Sequence, residues 1–253
     1  MLRFAFSLAF AWLGLCIAPL TAAVVFEDNF ESYANTAAFQ AVWGAVGVGT
    51  LDNAAGNPGQ SAAHAGGTDN TVGFTAFSPT ATEHLRLTGQ IFDDGTPGKR
   101  MSIGLRNDNS SNIIEMGFYN APVHFASRVV LFQSGNPAAP GWVAFANNAA
   151  PPVVFSAPVV GWHTFSVEIS NNTVDFSLDI GSDGTIDSTQ SYGAVAFGAG
   201  FNQLRIGGPS GVSSAGPAKF DNLRLETIAV PEPTSAGVCA LLGGLFMIRR
   251  RRR

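Results

Sequence analysis

Thr164-Phe165-Ser166-Val167-Glu168-Ile169 and Val174-Asp175-Phe176-Ser177-Leu178-Asp179-Ile180 decide how this chain folds. In both, apolar and polar residues alternate. Successive side chains of a strand point to opposite faces, so each run has one face to bury and one to wet. Asn171-Asn172 between them is a turn signal, which predicts a hairpin. The same period of two recurs upstream. Leu85, Leu87 and Ile91 alternate with His84, Arg86 and Gln90; Met101, Ile103 and Leu105 with Arg100, Ser102 and Arg106; Ile114, Met116 and Phe118 with Glu115 and Tyr119. Turns are expected at Asp93-Asp94-Gly95, Asn107-Asp108-Asn109 and Asp183-Gly184, and longer loops at 133–141, 146–152 and 207–218. Only residues 35–43 suit a helix, a short one capped by Asn35 or Thr36. Many short strands with no long amphipathic helix predict an all-β fold, an antiparallel β-sandwich.

The two ends of the chain read differently. Residues 1–23 have the parts of a secretory signal peptide: Arg3, an apolar core from Phe4 to Ala18, and the small residues Thr21-Ala22-Ala23 at a cleavage site. Residues 228–253 form a linker and tail, leaving 24–227 as the folded domain. In the tail Val230-Pro231-Glu232-Pro233 comes first, and its prolines cannot join a helix or a sheet ladder. An apolar stretch to Ile248 follows. As a helix at about 1.5 Å per residue it would reach roughly 22 Å, a marginal span for a hydrocarbon core of about 30 Å. Arg249, Arg250, Arg251, Arg252 and Arg253 then favour the cytoplasmic side. A plain membrane anchor and a basic tail for acidic lipids remain alternative readings of this end. The order of the three parts resembles the PEP-CTERM sorting signal of exported bacterial proteins. That resemblance implies processing near Pro-Glu-Pro by a membrane protease-transpeptidase, exosortase. It also implies export through the inner membrane, transient anchoring, and a final place at the cell surface or in an exopolysaccharide or biofilm matrix.

Composition agrees with export. Both cysteines, Cys16 and Cys239, lie in the targeting ends, so the domain must hold together without a disulfide. Of 14 Lys and Arg six lie in those ends, and of 18 Asp and Glu only Glu232 does. The span between therefore carries 8 basic and 17 acidic residues, a net charge near −9. That balance argues against nucleic acid as a partner. It leaves membrane contact to the C-terminal segment.

Phe26-Glu27-Asp28-Asn29-Phe30 near the start, Phe220-Asp221-Asn222-Leu223 near the end and Trp162-His163-Thr164-Phe165 between them form a layout. It resembles the concanavalin A-like jelly roll of the laminin-G-like superfamily. The resemblance implies that the first and last strands pair, that His163 turns inward or into a structural hydrogen bond, and that a structural calcium could sit near Asp28 and Asp221.

Candidate sites follow from chemistry. Glycoside hydrolysis needs two carboxyl groups at a set separation, most economically as Glu-x-Asp-x-Glu on one strand face, and no such pattern occurs. A cross-strand pair keeps the hydrolase reading open. No nucleophile-elbow motif and no metal-spaced histidines are present. If Ile180 faces Ile186 across a loop, Asp179, Asp183 and Asp187 converge as a possible calcium site; the alternative is a solvated hairpin turn. Glycan contact wants an exposed aromatic beside polar groups. Trp142 and Tyr119 are the candidates, against the alternative that they only pack, while Trp43 and Trp162 read as core. The resulting expectation is a non-enzymatic structural or interaction sandwich. A calcium-dependent carbohydrate-binding module comes next, and a jelly-roll glycoside hydrolase third.

Overall fold

A computed structural model describes residues 22–108, 112–120, 122–131, 141–193, 200–208 and 213–230. The chain runs through β1 (Ala22–Asp28), α1 (Thr36–Trp43), β2 (Thr50–Gly56), β3 (Gly59–Gly66), β4 (Asn70–Phe77), β5 (Glu83–Asp93), β6 (Met101–Arg106) and β7 (Asn112–Phe118). It continues through β8 (Phe125–Leu131), β9 (Val143–Ala144), β10 (Gly161–Ile169), β11 (Thr173–Ile180), β12 (Ser188–Gly193), β13 (Phe201–Gly207) and β14 (Ser213–Ala229). Two antiparallel sheets result, as the alternation requires. One has the order β12-β11-β10-β5-β14-β3-β2, with β1 also paired to β14, and the other the order β4-β13-β6-β7-β8-β9. This is a jelly-roll β-sandwich whose first and last strands pair.

The apolar members of each alternating run meet between the sheets. Leu85, Leu87, Ile91, Phe165, Val167, Val174, Phe176 and Leu178 face Met101, Ile103, Leu105, Ile114, Met116, Phe118, Phe125 and Val129, all buried. Burying one such side chain is worth roughly 1.5–3 kcal/mol, and this area stands in for the missing disulfides. His163 points into the same layer, as expected. Its Nδ1 accepts from Gly181 N–H at 3.0 Å, which leaves Nε2 to donate to the Val159 carbonyl at 2.7 Å. Trp162 is the exception to the expected core. Because His163 takes the inward position, Trp162 turns outward and lies half-buried against Phe92, with ring centroids 5.4 Å apart.

β14 organises the larger sheet. One edge pairs with β5 from Lys219 to Ala229. The other pairs first with β3 up to Phe220 and then with β1 from Leu223. The change of partner falls at Asp221-Asn222, where the register against β5 shifts and Asn222 adopts φ 50°. β14 begins at Ser213, inside the expected loop 207–218, because Ser213 and Ala218 still find β3 partners across an irregular register. It also runs to Ala229, and β1 starts at Ala22 opposite Ile228, so both strands overrun the boundaries expected for leader and linker. Val230 N–H donates to the Thr82 carbonyl at 2.8 Å. Pro231-Glu232-Pro233 and the arginine cluster, expected to belong to a sorting tail, lie outside the described residues, as do residues 1–21, which fall in the expected leader. Among the described residues no helix is long and apolar enough to cross a membrane.

Where β1 ends, Asp28 gathers three donors. Its Oδ1 accepts from Phe30 N–H at 2.7 Å, and its Oδ2 accepts from Tyr33 Oη–H at 2.5 Å and Trp43 Nε1–H at 2.7 Å. Burial and the Asp28 carboxylate push the Tyr33 hydroxyl well above its usual range, so it stays a donor. Phe30, Phe39 and Trp43 pack around this point with centroids 5.8–6.3 Å apart. α1 brings Phe39 and Trp43 inward, and Asn35 Oδ1 caps it by accepting from Ala38 N–H at 3.0 Å. Asp28→Ala would leave these donors without their acceptor. The expected loss is roughly 3 kcal/mol of unfolding free energy in urea titration, and a loss below about 0.5 kcal/mol would contradict the role given to Asp28.

Candidate functional site

The outward face of the six-stranded sheet holds both residues singled out for glycan contact. Tyr119 follows β7 and Trp142 precedes β9, 23 positions away in the sequence, yet their rings stack with centroids 5.1 Å apart and planes at 18°. The Arg100 guanidinium lies over Tyr119 at 5.1 Å and that of Arg128 over Trp142 at 5.2 Å. Strand parity explains the grouping. Arg128 is opposite Glu115, which lies four residues before Tyr119 and so on the same side of the chain, away from Met116 and Phe118 in the core. Tyr119 and Trp142 remain partly exposed.

Beside this stack lies a buried charge cluster that the alternation marked only as a polar position. Glu115 accepts from Arg106 Nη2 at 2.7 Å, from Arg128 Nη2 and from Arg205 Nη1. Arg205 also donates to Asp69 at 2.7 Å and to Ser102 at 3.1 Å. Gly104 sits directly across from Glu115, and a Cβ there would come within 2.8 Å of Glu115 Cγ, so glycine leaves room for the carboxylate to lie down. Burial pushes the Glu115 carboxyl up, but the charges of Arg205, Arg128 and Arg106 outweigh it and hold it below the usual range. A carboxylate so committed holds the guanidiniums in place and is a poor proton donor.

The outward face of the eight-stranded sheet carries the cross-strand carboxylate pair that hydrolysis would require. Glu168 on β10 stands opposite Asp175 on β11. Glu168 is bound by Arg86 at 2.7 Å and His84 at 2.9 Å, and against the upward push of burial these bonds hold its pKa below the usual range. A glycosidase pair needs one carboxyl raised to act as acid, and Glu168 moves the other way.

The two suggested calcium sites are engaged by backbone amides. Asp179 Oδ1 accepts from Asp183 N–H at 3.1 Å and its Oδ2 from Gly184 N–H at 2.9 Å. Asp183 Oδ1 takes Thr185 N–H at 2.8 Å, and Asp187 Oδ2 takes Ile180 N–H at 2.7 Å. The three carboxylates thus shape the loop in the manner of the hairpin-turn alternative. At the other site Asp28 holds Tyr33 and Trp43, while Asp221 accepts from Asn57 N–H at 2.5 Å and Asn222 N–H at 2.7 Å. Among the described residues no group of three or more His, Cys, Asp or Glu is placed to hold a metal ion.

No protein-family model matches the chain, and no curated protein matches it. Several solved structures are similar. The exoplasmic/lumenal domain of VIP36 in a calcium- and mannose-bound form is 10% identical over 73% of this chain and 84% of that chain, with a TM-score of 0.47. The CBM2 module of the evolved Dit of Lactobacillus casei BL23 phage J-1 is 10% identical over 85% of this chain and 100% of that chain, also at 0.47. A GH131 β-glucanase catalytic domain from Podospora anserina is 12% identical over 80% of this chain and 95% of that chain, at 0.46. At these scores the likenesses carry no argument about function, and the fold rests on the strand pairing itself.

Two measurements follow from this geometry. Glu115→Gln removes the charge that three guanidiniums share, and an expected loss of roughly 3–5 kcal/mol would show in urea unfolding; a near-neutral change would contradict the cluster's role. Burial, with the charges of Glu31 and Asp28 adding to it, lifts the Asp221 carboxyl to about 6. Its ionised form is disfavoured in the folded state, so the stability it supports is full below the ordinary Asp pKa of about 3.9 and is lost as pH rises through about 6. A carbon-13 NMR titration of Asp221 should show a midpoint near 6, and a midpoint in the ordinary range would overturn this assignment.

Proposed function

We propose that the chain is an exported, non-enzymatic β-sandwich that contacts extracellular polysaccharide through the face bearing Tyr119 and Trp142. The observation that carries this reading is their stacking between Arg100 and Arg128 on one outward face. The exposed edges of the stacked rings offer apolar area to a sugar, and guanidinium N–H groups donate to its hydroxyl oxygens. Stacking fixes the rings before a ligand arrives, which lowers the ordering cost of binding. The reading is non-enzymatic because Glu115 and Glu168, the carboxylates beside or opposite other polar groups on the two outward faces, are both held ionised by cations.

Export and sorting belong to the same proposal. A leader over residues 1–23 and a PEP-CTERM-like tail, Val230-Pro231-Glu232-Pro233 through Arg253, would deliver the sandwich across the inner membrane. Exosortase would then process it and leave it at the surface or in the matrix. A pairing of β1 with β14 supports this arrangement, since it brings both ends of the domain to one edge and lets the tail depart without crossing the core.

Trp142→Ala is expected to weaken binding to polysaccharide purified from the source cell's matrix by roughly tenfold in titration calorimetry while leaving the melting temperature nearly unchanged. Unchanged affinity would reject the stacked pair as the contact. Intact-mass analysis of the protein recovered from its source cell should show a C-terminus near Pro231–Pro233; an intact arginine terminus would reject the processing.

A further inference from the structure

The opposite face of the sandwich carries a second feature that this reading leaves unused. A groove of about 660 Å³ runs over the outward side of β5, β10, β11 and β12. Its floor can be followed rung by rung from the register. One rung reads Glu226, Arg86, Glu168, Asp175, Ser191 across five neighbouring strands, and the next reads Arg224, Thr88, Ser166, Ser177, Thr189. The hydroxyl rung is paired in part within itself, with Thr88 and Ser166 oxygens 3.1 Å apart. Ile186, 48% exposed, and Phe176 stand among the lining residues as apolar elements beside the polar rungs.

The charged rung is unbalanced. Arg86 lies between Glu226 and Glu168 and pairs with both, at 3.7 and 2.7 Å. Asp175 comes next with no cation beyond it. Its partners are hydroxyls, Ser191 Oγ at 2.5 Å and Thr173 Oγ1 at 3.0 Å, and no described Lys, Arg or His pairs with it. Like charges directly opposite each other on neighbouring strands destabilise a sheet. Glu168 is already held by Arg86 and His84, and Glu226 by Arg224 as well, so Asp175 is the carboxylate of this rung that an incoming positive charge would pair with.

We propose that this groove binds an amino-sugar polymer in its cationic, unacetylated form. The ammonium group would donate to Asp175, with the Glu168 carboxylate adding attraction from the facing strand. The sugar hydroxyls would exchange hydrogen bonds with Ser177, Thr189 and Ser191. Rungs of one face are about 6.6–7 Å apart along a strand, so one rung holds the charge while the next reads hydroxyls. A row of serine and threonine hydroxyls suits a polyhydroxylated ligand, and a basic peptide is the competing occupant that the test includes. The site lies on the sheet away from Tyr119 and Trp142, so it stands or falls independently of the contact proposed there.

The test uses the full-length chain with a glucosamine hexamer, an N-acetylglucosamine hexamer and oligolysine of equal length as probes. The glucosamine hexamer should bind, the N-acetylated hexamer should bind at least roughly tenfold more weakly, and added salt should weaken the former. Asp175→Asn keeps the side-chain shape and should reduce glucosamine binding roughly tenfold, with Ser177→Val reducing it independently. Val46→Thr, at an exposed position on neither of the two faces, should leave it unchanged. Equal binding of both hexamers, preference for oligolysine, or full affinity in Asp175→Asn with an unchanged melting temperature would each overturn the proposal.

Discussion

The pairing of β14 with two successive partners along one edge is the constraint on which the molecule depends. A strand of 17 residues is long enough to serve β3 with its first half and β1 with its second, while β5 runs along the opposite edge. The hand-over requires a break, and Asp221-Asn222 supplies it. Asn222 tolerates a positive φ better than most residues, and its amide donates across the seam to the Asn57 carbonyl at 2.7 Å. The Asp221 carboxylate satisfies amide donors left over by the irregular register, and it is buried at the cost of a raised pKa. Once this seam is set, the rungs of the eight-stranded sheet are fixed, and with them the order of charges on its outer face.

Two outward faces with different electrostatics result. On the six-stranded sheet Arg106, Arg128 and Arg205 converge on one carboxylate, and Arg100 and Arg128 reach the aromatic pair. On the eight-stranded sheet Glu226 and Glu168 are paired by Arg86, Arg224 and His84, while Asp175 at the end of the rung has hydroxyl partners only. If both proposals hold, the two arrangements would bind ligands by charge and hydroxyl, and a sandwich with contacts on two opposite faces could join two polymer chains.

Much of the fold was legible because the strongest strands advertise themselves. β5, β6, β7, β10 and β11 alternate, and each forms where expected with its apolar side inward. α1 carries its cap in plain view at Asn35. β3, Gly-Gln-Ser-Ala-Ala-His-Ala-Gly, has almost no apolar area and is held by its neighbours, so pattern alone does not reveal it. Trp162 misled because residue type favours the core, whereas position in the rung sent it outward. The glycan candidates Trp142 and Tyr119 were readable singly, but their contact depends on β7, β8 and β9 being adjacent, which is tertiary information. Glu115 looked like one polar residue among several, since three arginines from three different strands only meet through the sheet order. Asp179 at the end of β11 and Asp183 and Asp187 in the turn after it bond that turn's amides, and a row of acids in a sequence does not say whether amides or a cation will satisfy them.

The central claim is that this sandwich holds polysaccharide without cutting it. The most direct measurement follows binding and reducing-end release together, on one sample of protein and matrix polysaccharide. Saturable binding with no new reducing ends over many binding lifetimes is the predicted result. Steady release of reducing ends that disappears when a single aspartate or glutamate is changed would contradict it.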